Sequence, residues 1–263
     1  MGIEEIQTAA NRGERNAQYQ IGRAYLRGSD GLNQNFSKAF EWFQMSANQG
    51  HVEALLELGN AFYSGAGVDR NLNRAFEIYL QAAEHGNADA QNIVGAMYGK
   101  GVGVSQSYEN AVKWLKLAGC QGHPVAQNSL GLCYLYGNGV NKDLFEALSW
   151  LNSSANGPFG GYIEAQFNLG QCYSGACLMA YPNEIVEKVI NAESAIKWFR
   201  TAAEKDHTDA QFELGKMLLS SGVFHRLEPK ISEGLKWLKM TAEKGHIRSA
   251  NIIRLHLANT RKF

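Results

Sequence analysis

Residues 137–157 read GNGVNKDLFEALSWLNSSANG. Two glycines flank an asparagine, a charged pair follows, and a tryptophan comes next. A glycine-rich loop that opens a helix suits chemistry, and it suits a plain turn between helices equally well. Recurrence decides between the two. GAGVDRNLNRAFEIY at 65–79, GVGVSQSYENAVKW at 101–114 and the shorter GSDGL at 28–32 are the same element. A loop written several times in one chain is a repeated connection, and repeats govern the fold.

The repeat extends on both sides of the loop. Ala17, Ala54, Ala90, Ala126, Ala165 and Ala210 are each followed five residues later by glycine: Gly22, Gly59, Gly95, Gly131, Gly170 and Gly215. Eight residues after each alanine stand Tyr25, Phe62, Tyr98, Tyr134, Tyr173 and Leu218. A second series holds Ala39, Ala75, Ala111, Ala147, Ala195 and, in the sixth slot, Gly234. Three residues beyond come Trp42, Ile78, Trp114, Trp150, Trp198 and Trp237, so all five tryptophans share one slot. The spacing is 36 residues over the first four copies, then 48, then 39.

Spacings of three and four put each series on one face of a helix. Each unit therefore reads as helix A, a Gly-x-Gly-Val turn whose glycines accept positive φ, and helix B. Helix B ends near ANQGH, AEHGN, GCQGH or AEKGH, with glycine at the left-handed C-terminal position. One such pair cannot bury its apolar stripe alone, whereas a stack of them can. The slot shared by the tryptophans reads as core, so Trp114→Ala is expected to cost on the order of 3–5 kcal/mol.

The pattern A-x-x-x-[ILV]-G-x-x-Y, then G-x-G-V, then A-x-x-W and A-x-x-G-H/N, resembles the Sel-one-like repeat (SLR), a relative of the tetratricopeptide repeat. AQYQIGRAYLRG, ALLELGNAFYSGAGV, AQNIVGAMYGKGVGV and AQNSLGLCYLYGNGV carry it most clearly, and the likeness spans nearly the whole chain. The resemblance implies an all-α, right-handed superhelical solenoid of about six helix-turn-helix repeats of about 36 residues, with partial repeats at both ends. On this reading residues 1–263 form one solenoid: a terminal helix at 1–16, repeats over 17–245, and a capping helix at 246–263. The resemblance departs at 175–194, which enlarges one A–B loop, and at 220–233, which replaces the last Gly-x-Gly-Val turn. It implies a non-enzymatic, bacterial adaptor for protein partners, in host-contact, secretion-associated or signalling complexes. The alternatives are a neutralising partner of a toxin or effector and, from another class, an enzyme using the 175–194 insertion.

Charge narrows the partners. Lys+Arg and Asp+Glu each number 25, so nothing draws the chain to nucleic acid or an anionic membrane. No stretch approaches 18 consecutive apolar residues, so no membrane insertion is expected. The opening MGIEEIQTAANRG lacks the basic and apolar regions of a signal peptide. The expected partner is a protein or peptide, the expected state a monomer and the expected compartment cytoplasmic; periplasmic or secreted is the alternative if a leader has been removed.

Catalytic and ligand motifs fare poorly. Gly99, Gly101 and Gly103 lack the preceding strand and further glycine of a dinucleotide loop; Gln106 stands where that glycine belongs. His51, His123, His207 and His246 follow helix B ends, where the helix C-terminal dipole would favour them, and show no metal-ligand spacing. Glu53, Asp89, Glu164 and Asp209 precede the helix A alanine and suit a helix first turn. Glu184, Glu187 and Lys188 in the insertion fit a solvated amphipathic helix. No cofactor and no metal are expected. Some secreted members of the resembled family pair two cysteines within each repeat, and that pairing is absent. Cys120, Cys133, Cys172 and Cys177 therefore read as free thiols of a reducing compartment, with a local Cys172–Cys177 bridge left open.

Binding is expected on the concave face lined by helix A. Helix geometry assigns to it the positions three before and one after each glycine. These are Tyr19 and Arg23, Leu56 and Asn60, Asn92 and Ala96, Asn128 and Leu132, Phe167 and Gln171, Phe212 and Lys216. Amides suit a peptide backbone and aromatics its side chains.

Overall fold

The computed structural model describes residues 2–225 and 227–260. The described residues are helical and connecting, without strands. The A helices are α2 (Arg15–Arg27), α4 (Val52–Ser64), α6 (Ala88–Lys100), α8 (Pro124–Tyr136), α10 (Ile163–Tyr173) and α13 (Thr208–His225). The B helices are α3 (Phe36–Ala47), α5 (Leu72–Glu84), α7 (Tyr108–Cys120), α9 (Leu144–Ala155), α12 (Ala192–Ala203) and α14 (Glu228–Glu243). Helix α1 (Ile3–Asn11) precedes them, α15 (Ile247–Thr260) follows, and α11 (Asn183–Val189) sits in the enlarged loop. The chain forms two compact units, residues 1–144 and 145–263. In the first, each helix from α1 to α8 packs on the next; in the second, α10, α12, α13, α14 and α15 do the same.

The opening loop does carpentry, and its two glycines have different jobs. The first, Gly65, Gly101 or Gly137, takes the left-handed conformation that closes helix A, with φ of +80°, +67° and +77°. The second touches the preceding repeat. A Cβ on Gly67, Gly103 or Gly139 would lie 2.2–2.3 Å from the backbone of Phe36, Leu72 or Tyr108, at the first turn of the previous helix B. No side chain fits there. The next helix then starts on a side-chain cap: Asn35, Asn71, Ser107 and Asn191 accept from the amides of Lys38, Arg74, Asn110 and Ser194.

The glycine inside helix A is a packing site. A Cβ on Gly22, Gly59, Gly95, Gly170 or Gly215 would stand 2.5–2.9 Å from a side chain of the partner helix B. Those side chains are Phe43, Tyr79, Leu115, Phe199 and Leu238, all buried. They follow the tryptophan slot by one residue. The tryptophans themselves sit further out: Trp42, Trp114, Trp150 and Trp237 are half-buried and only Trp198 is buried. The expectation that the tryptophan slot is core holds for Trp198 and for Ile78 in the same slot, and is corrected for the other four tryptophans, which are half-buried. The centre is the next position, because a helix turns by 100° per residue and that position is the one aimed at the glycine. Gly234 has its own reason: a Cβ there would meet the backbone of Leu219 at 2.7 Å and of Gly215 at 2.9 Å. Helices α13 and α14 touch backbone to backbone, which alanine would forbid.

A polar relay ties the repeats together. Gln18, Gln91, Gln166 and Gln211 are buried, and each donates from Nε2 to a carbonyl near the end of the preceding helix, α1 for the first and a helix B for the rest: Ala10, Ala83, Ala155 and Ala203. Each glutamine oxygen accepts from a side chain of its own repeat's helix B end: Gln49, Gln121, Lys205 and Lys244. Three of these helix-terminal carbonyls, those of Ala10, Ala83 and Ala203, also accept a backbone amide, from Gly13, Gly86 and Asp206, so the glutamine fills a second lone pair there. Among the described residues no buried side-chain nitrogen or oxygen is without a hydrogen bond.

Candidate binding groove

His51, His123, His207 and His246 belong to helix A and not to helix B. Their Nδ1 atoms accept from backbone amides three residues on: His51 from Ala54, His123 from Ala126, His207 from Ala210 and His246 from Ser249. They are N-caps, and Asn87 does the same for α6. This corrects the assignment to the helix C-terminal dipole: an acceptor nitrogen at a helix N-terminus must be neutral. The outer nitrogen serves the stack. Nε2 of His123 meets Asp89 at 3.1 Å and Nε2 of His207 meets Glu164 at 3.3 Å, each across one repeat. The acidic positions do lie in the first turns of their helices. Burial lowers the pKa of His51, Arg15 lowers it further, and Glu53 opposes both.

These caps consume part of the expected binding stripe. Tyr19 stacks on His51 and Phe167 on His207, both with ring centres 4.6 Å apart, and Phe212 lies 4.4 Å from His246. The aromatic residues three before the glycine therefore join successive repeats. Phe212 and Asn128 are each only 7% exposed, too little to present a side chain to a partner. Leu56 packs against the core of the first unit. Leu132 and Gln171 are half-buried. Arg23 lies over the Tyr19 ring, and Lys216 pairs with Glu213 while covering Phe212.

What remains of the stripe converges in the first unit. Asn60, Asn92 and Ala96 line one open cavity of about 320 Å³ between α4 and α6. Tyr63, Tyr79, Ile93, Met97, Lys100 and Val102 complete it. The floor is apolar, and two amides and an ammonium stand around it. Tyr79 donates its hydroxyl to Asn60 Oδ1 at 2.7 Å, which fixes one amide; burial raises the Tyr79 pKa and keeps it a donor. Val102 is the first valine inside a Gly-x-Gly-Val loop, so loop and helices build the cavity together. Helix periodicity gave Asn60, Asn92 and Ala96. It missed Tyr63 and Lys100, which stand four and five residues after their glycines, one turn further along the same helices.

A smaller cavity of about 180 Å³ lies on the other side of Asn60, lined by Leu26, Phe36, Phe40 and Phe43 among others. The insertion residues Glu184, Glu187 and Lys188 are exposed on α11. Among the described residues no group of three or more His, Cys, Asp or Glu side chains is placed to hold a metal ion. No helix among them is long and apolar enough to cross a membrane.

The model of the Sel1 repeat matches residues 15–51, 52–87, 88–123, 124–158, 163–207 and 208–246. The chain belongs to the Sel1 repeat family. Each matched segment is one A–B pair as built above, and α1 and α15 lie outside them. The chain is similar to a Sel1 repeat protein from Oxalobacter formigenes of known crystal structure, at 28% identity and a TM-score of 0.71, over 87% of this chain and 85% of that one. It is also similar to a protective antigen of uropathogenic Escherichia coli strains with an SLR fold, at 26% identity and a TM-score of 0.67, over 95% of this chain and 58% of that one. An immunity protein from Pseudomonas aeruginosa is more distant, at 22% identity and a TM-score of 0.46, over 77% and 70% of the two chains. No curated protein matches the chain. Sel1 repeats are in general non-enzymatic scaffolds for protein interaction.

Proposed function

We propose that this Sel1 repeat protein is a non-enzymatic adaptor that holds a segment of a protein partner in the cavity between α4 and α6. The observation that carries this reading is the convergence of Asn60 and Asn92, from successive A helices, on an apolar floor of Ile93, Ala96, Met97 and Val102. An extended segment matches that layout: its backbone pairs with the Asn92 amide, an apolar side chain fills the floor, and an acidic group faces Lys100. At about 320 Å³ the cavity is at the small end of the range for ligand sites, about 300–1,000 Å³, which suits one or two side chains of such a segment. Zero net charge supports a protein partner over nucleic acid. The adaptor acts as a monomer in a reducing compartment. The likeness to a protective antigen of uropathogenic strains directs the search for the partner to host-contact complexes.

The test is capture of the partner by the wild type and by a variant carrying Asn92→Ala, Ala96→Glu and Lys100→Glu, with circular dichroism as the folding control. Ala96 and Lys100 are exposed and Asn92 is half-buried, and the comparison is made once the variant is shown to be folded. Loss of the partner supports the groove. Equal retention by a folded variant refutes it.

A further inference from the structure

Two thiols meet at the base of the enlarged loop after α10. Cys172, in the last turn of α10, is completely buried; Cys177, just past the helix, is half-buried. Their sulfurs lie 3.3 Å apart, in hydrogen-bond contact. Between them the chain reverses at Gly175, where φ is +79° and a Cβ would stand 2.9 Å from Ile190 at the far end of the loop. Leu178 and Val189 are buried, and Asn191 returns a backbone hydrogen bond to Tyr173. The loop is thus folded onto the helix that carries Cys172, and this holds the two sulfurs together. The other cysteines stand elsewhere: Cys120 is exposed on α7, and Cys133 lies in α8.

We propose that Cys172 and Cys177 form a reversible dithiol site that closes to a local disulfide when a disulfide oxidant such as oxidised glutathione reaches Cys177, the less buried of the two. The chemistry balances as two exchanges. The Cys177 thiolate attacks one sulfur of the oxidant, and the first glutathione leaves as a thiolate. Cys172 then gives up its proton and attacks Cys177 Sγ, and the second glutathione leaves. The protein dithiol is oxidised by two electrons and the oxidant is reduced to two thiols. The environments fit these roles. The hydrogen bond with Cys172 lowers the pKa of Cys177, which favours attack. Contact with Cys177 and then burial raise that of Cys172, so it stays protonated until the mixed disulfide beside it offers a partner. The product staples the start of the insertion to the end of α10.

The test uses the full chain, reduced and then exposed to oxidised glutathione, with the remaining thiols alkylated and the peptides read by mass spectrometry. The expected product has Cys172 joined to Cys177, both lost to alkylation and both restored by dithiothreitol, with Cys120 and Cys133 still alkylated. Glutathione that stays on Cys177 without resolving would overturn the proposal, as would two thiols that remain alkylated throughout. In a Cys177→Ser variant Cys172 is expected to stay reduced under the same treatment; its oxidation to the same extent as in the wild type would also overturn the proposal.

Discussion

The packing glycines offer a test in which one substitution gives opposite signs at two places in the same unit. Glycine to alanine in a helix interior gains up to about 1 kcal/mol of helix propensity. At Gly99, in α6, a new Cβ would meet only the Ala111 Cβ at 3.8 Å, an ordinary contact. Gly99→Ala should therefore stabilise, by about 0.5–1 kcal/mol. At Gly59, in α4, the same Cβ would stand 2.6 and 2.7 Å from two ring atoms of Tyr79. That ring is 2% exposed and is held by its hydroxyl bond to Asn60, which turning away would break. Overpacking costs about 1–3 kcal/mol, and a rigid, pinned ring puts this site near the top of that range. Less the propensity gain, Gly59→Ala should lose about 2 kcal/mol. For a protein of this size that is a fall in Tm of about 4–8 °C, read by thermal scans at fixed pH. If Gly59→Ala stabilises as Gly99→Ala does, helix A does not press against helix B at the glycine and the account of the core is wrong.

Three other outcomes follow from the same structure. Gly103→Ala should cost about 3 kcal/mol or more, since a left-handed alanine is strained and the Cβ would meet the Leu72 carbonyl, which is backbone and cannot rotate aside; urea denaturation measures it. Leu115→Ala, at a residue 4% exposed, should cost about 2–5 kcal/mol, and Trp114→Ala, at a half-buried residue, less than that and less than the 3–5 kcal/mol of a fully buried tryptophan. The His51 pKa is lowered in the folded state from 6.5, so the unfolded chain binds the proton first: the cap contributes fully above that pH, and its contribution is lost as pH falls from there through the folded value. His51→Asn, which keeps an N-cap acceptor, should flatten that part of the pH–stability curve; an unchanged curve would remove the neutral-cap role.

The period, the two helices and the loop glycines were legible in the sequence because each depends on local geometry repeated in register. Gly65 and Gly67 announce a turn by residue type alone. The core centre was harder. The tryptophan slot and the position after it are both apolar and both share a helical face with the alanine; only the partner's glycine shows that Phe43, Tyr79, Leu115, Phe199 and Leu238 are the ones aimed inward. The histidines stand between two helices, so their place fits either helix end. Asn87 in the same slot was the available signal, since asparagine caps helix N-termini. The loss of Tyr19, Phe167 and Phe212 from the binding stripe was not legible. Their stacking on histidines one repeat away depends on how successive pairs superpose, which no spacing within one helix records.

The central claim is that the partner lies against the face formed by α4 and α6. Its most direct test is a photo-crosslinking amino acid placed in turn at Ala96, in the cavity, and at Glu77, exposed on the outer side of α5, followed by exposure to source-organism lysate. The account predicts one discrete crosslinked protein from position 96 and none from position 77. A crosslink of equal yield from position 77, or from that position alone, would contradict it.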